Sequence, residues 1–383
     1  MKVILMSDVY FPFSSGVTTA VYILSKELPK YKVDVTLVIP SPKPIIKKNE
    51  QYSHERKIKI LPSASLRGLY KNLRFPIRFY DAKEEIVDGE TIFHVHSPMV
   101  SGTAVVKKLR NYRKKRVVKF GIIGSYHTRM DSYLSKRMPK KVSDKLSRLL
   151  NFYTKHVFRR MDLTTAPSNF AKNLAEAMGI NNVIVMPNPL LRVFFKKPRV
   201  KLDEICETIE PYKYHFWLGR ISHEKKVDVL AKLFCKSKTG IKFVFAGTGP
   251  ILRKLREKFG NKKCIFLGYV PFDAAITLYR NAISFVSASD FETQGITFLE
   301  AMAQKTPVIA YHVGGHIDFI KHNVNGFLFR EYTELRQYVQ KLEKNQALRD
   351  ELGENAYKTA LKFHPDNLIP KYIKMYKKLL EII

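Results

Sequence analysis

Two glutamates eight residues apart bracket the run Glu292-Thr293-Gln294-Gly295-Ile296-Thr297-Phe298-Leu299-Glu300. The run follows an apolar strand pattern at 284–286 and passes into an apolar helical pattern at 296–303. Gly295 lets backbone approach a ligand closely, and the N–H groups that open the helix make an anion site. Carboxylates repel phosphate but accept hydrogen bonds from sugar hydroxyls. Two of them beside an anion-binding helix end suit a molecule that carries both hydroxyls and phosphates. A second cluster, Gly219-Arg220-Ile221-Ser222-His223-Glu224-Lys225, lies between a strand pattern and a helical one. Across such a turn Arg220 and Lys225 can clamp a diphosphate and stabilise charge as it leaves. Near the N-terminus, residues 11–17 read as a loop into a helix, where Gly16 can offer its N–H to phosphate. Gly247-Thr248-Gly249-Pro250 reads as a turn and a proline helix start.

Elements that could hold these residues recur along the chain. Apolar, β-branched runs at 3–6, 33–39, 92–96, 117–123, 163–166 and 183–186 alternate with helical patterns at 17–28, 102–109, 142–160 and 170–178. The alternation predicts parallel α/β architecture. A basic, proline-containing stretch at 190–210 breaks it, and the domain linker is expected at 191–210. Strand patterns resume at 216–218, 242–246, 265–267, 284–286 and 307–310. The expectation is an N-terminal domain over 1–190 and a C-terminal one over 211–365. A basic amphipathic helix over 366–383 follows, able to pack back on the first domain. Open α/β sheets place ligands at the C-terminal ends of their strands, where the loops above fall.

The chain has 383 residues, enough for two cores. Its 67 Lys and Arg outnumber 34 Asp and Glu, a net +33. The excess is regional: 103–162 hold 18 basic and 3 acidic residues. Such a field implies anionic partners: nucleotide phosphates, nucleic acid or an anionic lipid surface. Aromatic RNP strings, zinc spacings and helix-turn-helix patterns are missing, so nucleic acid is not the expected partner. Cys206, Cys235 and Cys264 are scattered without metal-type spacing, which argues for a reducing compartment and against disulfides. No apolar run approaches the roughly 18 residues a spanning helix needs, and the N-terminus reads as a strand, not a secretion signal.

In order along the chain, Ser14-Ser15-Gly16-Val17, His94-Val95-His96-Ser97-Pro98, Tyr126-His127-Thr128, Pro167-Ser168, Gly219-Arg220 to Lys225, Gly247 to Pro250 and Glu292 to Glu300 resemble the family-4 retaining glycosyltransferases of the GT-B fold. The resemblance implies two Rossmann-like domains facing across a cleft. It implies that Arg220 and Lys225 hold the donor diphosphate with Gly16 and the amides of Ile296 and Thr297. Glu300 would take the ribose hydroxyls, Glu292 the donor sugar, and backbone near Tyr269 and Val270 the base. His127 would sit at the reacting face of the sugar. It implies retention by front-side attack, a nucleotide-sugar donor such as a UDP-sugar, and no bound metal. In keeping with that, no Asp-x-Asp occurs, and Asp290-Phe291-Glu292 is its nearest approach. Three positions depart from the family: Ser15-Gly16 in place of two glycines, Lys226 where Gly is usual, adding charge at the phosphate end, and His316-Ile317-Asp318 after Gly314-Gly315. His94 and His96 alternate on a strand, where hydrogen-bonded burial and acceptor contact are equally open.

The segment 66–79 places Arg67, Lys71, Arg74 and Arg78 on one helical face and Leu66, Leu69, Tyr70, Leu73 and Ile77 on the other. A basic face opposite an apolar one suits an interfacial membrane helix. A second basic stretch, 136–160, has Val142, Leu146, Leu149, Tyr153 and Val157 at core spacing and is expected to pack inward. The Glu-Thr-Gln-Gly wording and the 66–79 segment resemble bacterial-type glycolipid synthases that add hexose to diacylglycerol. That resemblance implies a lipid or lipid-linked acceptor and a chain peripheral on the cytoplasmic face of a membrane. The alternative is a soluble or polysaccharide acceptor.

Overall fold

The computed structural model describes residues 1–10, 15–40, 57–61, 63–65, 74–76, 80, 82–96, 100–115, 118–127, 140–235, 240–260 and 263–383. The chain divides into two compact units, Met1–Pro189 with Pro365–Ile383, and Leu190–His364.

In the first unit, β1 (Lys2–Ser7), β2 (Asp34–Pro40), β3 (Lys57–Leu61), β6 (Thr91–His96), β7 (Phe120–Ser125), β8 (Leu163–Ala166) and β9 (Val183–Val185) form one parallel sheet in the order β3-β2-β1-β6-β7-β8-β9. A separate antiparallel pair joins β4 (Ser63–Ser65) to β5 (Arg74–Pro76). Every residue of β6 and β7 is buried, which is why these strands read as continuous apolar runs. Among the described residues the helices between the strands are α1 (Gly16–Glu27), α2 (Val100–Lys115), α3 (Lys140–Phe158) and α4 (Asn169–Ala177). The C-terminal helix, Pro365–Ile382, completes this unit, sinking Ile369, Tyr372, Met375, Tyr376 and Leu379 into the core that holds Val3, Leu5, Val21 and Leu37.

The second unit carries β10 (Tyr214–Leu218), β11 (Lys242–Ala246), β12 (Cys264–Gly268), β13 (Ser284–Ser287), β14 (Val308–Tyr311) and β15 (Gly326–Phe329), all parallel, in the order β12-β11-β10-β13-β14-β15. Its helices are α5 (Leu202–Ile205), α6 (Val227–Phe234), α7 (Leu252–Phe259), α8 (Phe272–Arg280), α9 (Ile296–Ala303), α10 (Tyr332–Lys344) and α11 (Gln346–Leu361). The reversal of strand order between β10 and β13 leaves their C-terminal ends as the switch point where such sheets bind ligands.

Four expectations change. The stretch 191–210 is not a bare linker: Phe194, Leu202 and Ile209 are buried in the core of the second unit, and Gln304 Nε2 donates to the carbonyls of Phe194 and Lys196. Cys235 and Cys264 form a disulfide, because Cys235 ends α6 and Cys264 opens β12 beside it, with Cα atoms 5.3 Å apart. The 66–79 segment is not one helix: Arg74-Phe75-Pro76 is a strand, as Pro76 presses the residue before it into extended backbone. Arg67, Lys71 and Arg78 lie outside the described residues. Finally, Leu149 of α3 faces outward at 61% exposure, with Phe152 beside it at 69%. Among the described residues no helix is long and apolar enough to cross a membrane.

Candidate active site

At the end of β10 the chain turns through Gly219 to Lys225, and backbone pins the turn. Gly219 N donates to Ala246 O at 3.1 Å and Ile221 N to Thr248 O at 2.9 Å. A methyl on Gly247, at φ +122°, would collide with the carbonyl of Gly219, so only glycine lets the two turns touch. Lys226 then adopts a left-handed φ of 51°, the conformation glycine takes without strain. Its Nζ sits 2.8 Å from Asp290 and 4.7 Å over the Tyr311 ring. The charge expected to add to the phosphate end is therefore already matched by Asp290.

Lys225 Nζ lies 2.7 Å from Glu292 Oε1, both side chains mostly buried. Burial pushes the Glu292 carboxyl up, but Lys225, His316 and a Ser289 hydrogen bond outweigh it and hold the group below the ordinary carboxylate range. Three residues on, Gly295 caps α9 at φ +87° without a side-chain acceptor. Gly295 has no side chain with which to cap the helix that Ile296 and Thr297 open. The start of a helix carries partial positive charge, which suits an anion. Glu300, one turn further, is buried, and Tyr279 donates its hydroxyl to Oε2 at 2.9 Å. Burial raises the Glu300 carboxyl to about 8, against the opposing pull of that bond. Arg220 is half-buried in the turn, and Tyr269, 75% exposed, follows β12 with Val270 next to it.

The first unit supplies the other expected residues. Gly16 opens α1, whose N-cap, Ser15, accepts from Thr18 N at 3.2 Å. His127 lies two residues past β7, buried, with Nε2 2.8 Å from His96 Nδ1. His94 bonds Tyr376 through Nδ1 at 2.8 Å and Ser125 through Nε2 at 2.7 Å. Neither His94 nor His96 is exposed at all, so hydrogen-bonded burial is the arrangement found. Burial pushes all three imidazoles down, His94 to about 3, His127 to about 4 and His96 well below its usual value.

Lys225 and Glu292 are thus brought into direct contact, next to the start of α9 and Glu300 within it. Gly16 and His127 belong to the other unit. Sequence reasoning missed Tyr279 and the role of His316. Tyr279 sits on an amphipathic helix where a tyrosine reads as core. His316 was noted only as a departure; its ring packs on Phe298 at 4.6 Å and its Nε2 meets Tyr311 O at 2.6 Å.

Residues 14–190 match the family model Glycosyltransferase Family 4, and residues 203–359 match Glycosyl transferases group 1. The alpha-monoglucosyldiacylglycerol synthase of Streptococcus pneumoniae is 28% identical over 328 residues, 81% of this chain and 71% of that protein. Its namesake from Acholeplasma laidlawii is 24% identical over 377 residues, 93% of this chain and 92% of that protein. HepE of Anabaena, solved with UDP-glucose, superposes with a TM-score of 0.71 at 15% identity, covering 98% of this chain and 99% of that one. At that identity the likeness speaks for the fold alone. With matched models along both halves, two parallel Rossmann-like sheets and the glutamate and Gly-Arg-to-Lys elements in place, this chain belongs to the family-4 glycosyltransferases of the GT-B fold.

Proposed function

We propose that this chain moves a hexose, with retention, from a UDP-sugar to a lipid acceptor of the diacylglycerol type at an anionic membrane surface. The observation that carries the donor half is the Lys225–Glu292 pair beside the start of α9, which opens on a glycine. In the proposed transfer, an acceptor hydroxyl oxygen bonds to the anomeric carbon as the bond to the diphosphate oxygen breaks. The acceptor proton passes to that leaving oxygen. Arg220, Lys225 and the amides of Gly16, Ile296 and Thr297 carry the growing negative charge. Glu292 accepts from hydroxyls of the sugar, Glu300 from the ribose, the backbone at Tyr269 and Val270 meets the base, and His127 serves the reacting face. The side chains take the charge that a metal would otherwise neutralise, so a chelator is expected to leave turnover unchanged.

The lipid half is supported by the two diacylglycerol-named relatives and by α3. At 100° per residue, Lys145, Arg148, Leu149, Phe152, His156 and Arg159 form one outward stripe, with the Phe152 and His156 rings stacked. Two large apolar side chains left in water among basic ones suit an anionic bilayer. Three basic residues at such a surface contribute about 1 kcal/mol each, roughly a hundredfold in partitioning at low salt. Leu149 and Phe152 add a part that salt does not remove.

Two experiments test this. Purified protein is offered UDP-hexoses with diacylglycerol vesicles or with soluble glycans, and the product's anomeric configuration is read by NMR. A glycolipid of the donor's own configuration is expected; transfer to soluble glycans alone overturns the lipid acceptor. Co-sedimentation with phosphatidylglycerol vesicles should lose its salt-resistant part in Leu149→Ser/Phe152→Ser, and equal sedimentation removes α3 from the surface.

A further inference from the structure

Tyr279 lies in the last turn of α8 and is fully buried. Phe216, Phe285 and Phe194 meet its ring edge to face, with centroids 5.0, 5.5 and 6.3 Å away. Its carbonyl accepts from Thr306 Oγ1 at 2.7 Å. A phenol in such a core needs a partner for its hydroxyl, and it finds Oε2 of Glu300, on α9, at 2.9 Å. Burial and the neighbouring carboxyl push the phenol well above its usual range, so it keeps its proton near neutral pH.

The terminal torsion of a glutamate is soft, and an unheld carboxyl swings over a wide arc. Here one oxygen is tied to a ring locked among three others, which fixes the plane of the carboxyl and the direction of Oε1. Exposure separates the two residues: Glu300 keeps 7% of its surface open, Tyr279 none. A ligand can therefore touch Glu300 but not the phenol behind it. The other end of α8 borders the segment assigned to the base. The helix begins at Phe272, two residues past Val270, and Phe272 packs on the same Phe194 ring at 5.7 Å.

We infer that Tyr279 is a positioning residue for the donor nucleoside: by holding Oε2 it aims Oε1 of Glu300 at the ribose hydroxyls, at a set distance from the base. This rests on the roles proposed for Glu300 at the ribose and for Tyr269 and Val270 at the base. The site then selects ribose, because an analogue lacking the hydroxyls leaves a fixed, buried carboxyl unpaired. A carboxyl free to swing would escape that penalty and discriminate less.

Calorimetry with UDP and with 2′,3′-dideoxyuridine diphosphate tests this on the unaltered protein, Tyr279→Phe, Glu300→Ala and the double variant. Tyr279→Phe keeps the ring packing and removes only the hydroxyl. UDP affinity should fall about five- to tenfold, the worth of one hydrogen bond, while affinity for the dideoxy analogue stays as it was. The preference for ribose shrinks by the same factor. Turnover at saturating donor should stay within about twofold, since ribose contacts are equal in ground and transition states. Glu300→Ala should abolish the preference, and adding Tyr279→Phe to it should weaken UDP no further, because the two residues act through one contact. Equal losses for both nucleotides in Tyr279→Phe, or additive losses in the double variant, overturn the inference and leave Tyr279 a packing residue. A preference lost in Glu300→Ala but intact in Tyr279→Phe overturns it too, with Glu300 still at the ribose. A preference that survives Glu300→Ala removes both residues from the ribose.

Discussion

At the ends of β6 and β7 the first unit buries three imidazoles, all pushed towards the neutral form and each bonded to a hydroxyl or to another of the three. At the ends of β10 and β13 the second unit instead buries an ion pair, Lys225 with Glu292, and a carboxyl, Glu300, that keeps its proton near neutral pH. Both places are strand ends of a parallel sheet, yet one is electrically quiet and the other is charged. The difference follows from the partners each proposed role requires. A sugar offers hydroxyls, which neutral donors and acceptors match at little desolvation cost. A diphosphate needs cations, and a buried cation is tolerable without ligand only if a carboxylate stands in for the absent anion. Under the proposed role Glu292 is that stand-in, 2.7 Å from Lys225 Nζ.

The strongest way to break this contrast is Lys225→Ala. Turnover at saturating donor should fall about 10²- to 10³-fold, the usual worth of one charge-stabilising donor. The protein should also lose thermal stability, because Glu292 is left without its cation. Adding Glu292→Gln should recover the melting temperature but not the turnover. Normal turnover in Lys225→Ala would erase the distinction between the two units.

His127→Ala probes the quiet side. Transfer should drop about 10²-fold, while UDP affinity by calorimetry stays within about twofold, since the diphosphate and ribose contacts are assigned elsewhere. A matching loss of UDP affinity would mean that the histidine serves the nucleotide after all.

Glu300→Gln sharpens the charged side by the smallest amount. UDP binding should weaken about tenfold, with less change in turnover at saturation, because ribose contacts are equal in ground and transition states. The same variant carries a pH signature. Folded Glu300 holds its proton up to about 8, whereas the unfolded chain releases it in the ordinary carboxylate range. Stability from the protonated group is thus full at low pH and is lost as pH rises through the folded value. Glutamine does not titrate, so its melting temperature should gain on the wild type by several degrees between pH 5 and 8. A constant gap would show that Glu300 ionises normally.

Much of this arrangement was legible because parallel strands buried on both faces write themselves as apolar runs, and because Gly295 and the Gly219 turn sit where only small or glycine backbone fits. What stayed hidden had specific causes. Leu149 and Leu150 are adjacent, and either satisfies inward helical spacing, so periodicity alone could not say which faces water. β3, Lys-Ile-Lys-Ile-Leu, alternates as an edge strand does and offers no continuous apolar signal. The stretch 191–210 looks like a linker by its proline and charges, while three scattered buried residues, Phe194, Leu202 and Ile209, anchor it. Tyr279 reaches Glu300 from a different helix, a contact that only the fold creates.

The C-terminal helix carries one more consequence, in the order of events during synthesis. The first unit's core needs Ile369, Tyr372, Met375 and Tyr376, which leave the ribosome after the entire second unit. At 5–20 residues per second, about 10 to 40 s separate Leu190 from the chain's last residue. The second unit, continuous in sequence, can close during that interval; the first, though made earlier, must wait with part of its apolar surface open. The half of the molecule that is translated first is therefore the half that finishes folding last.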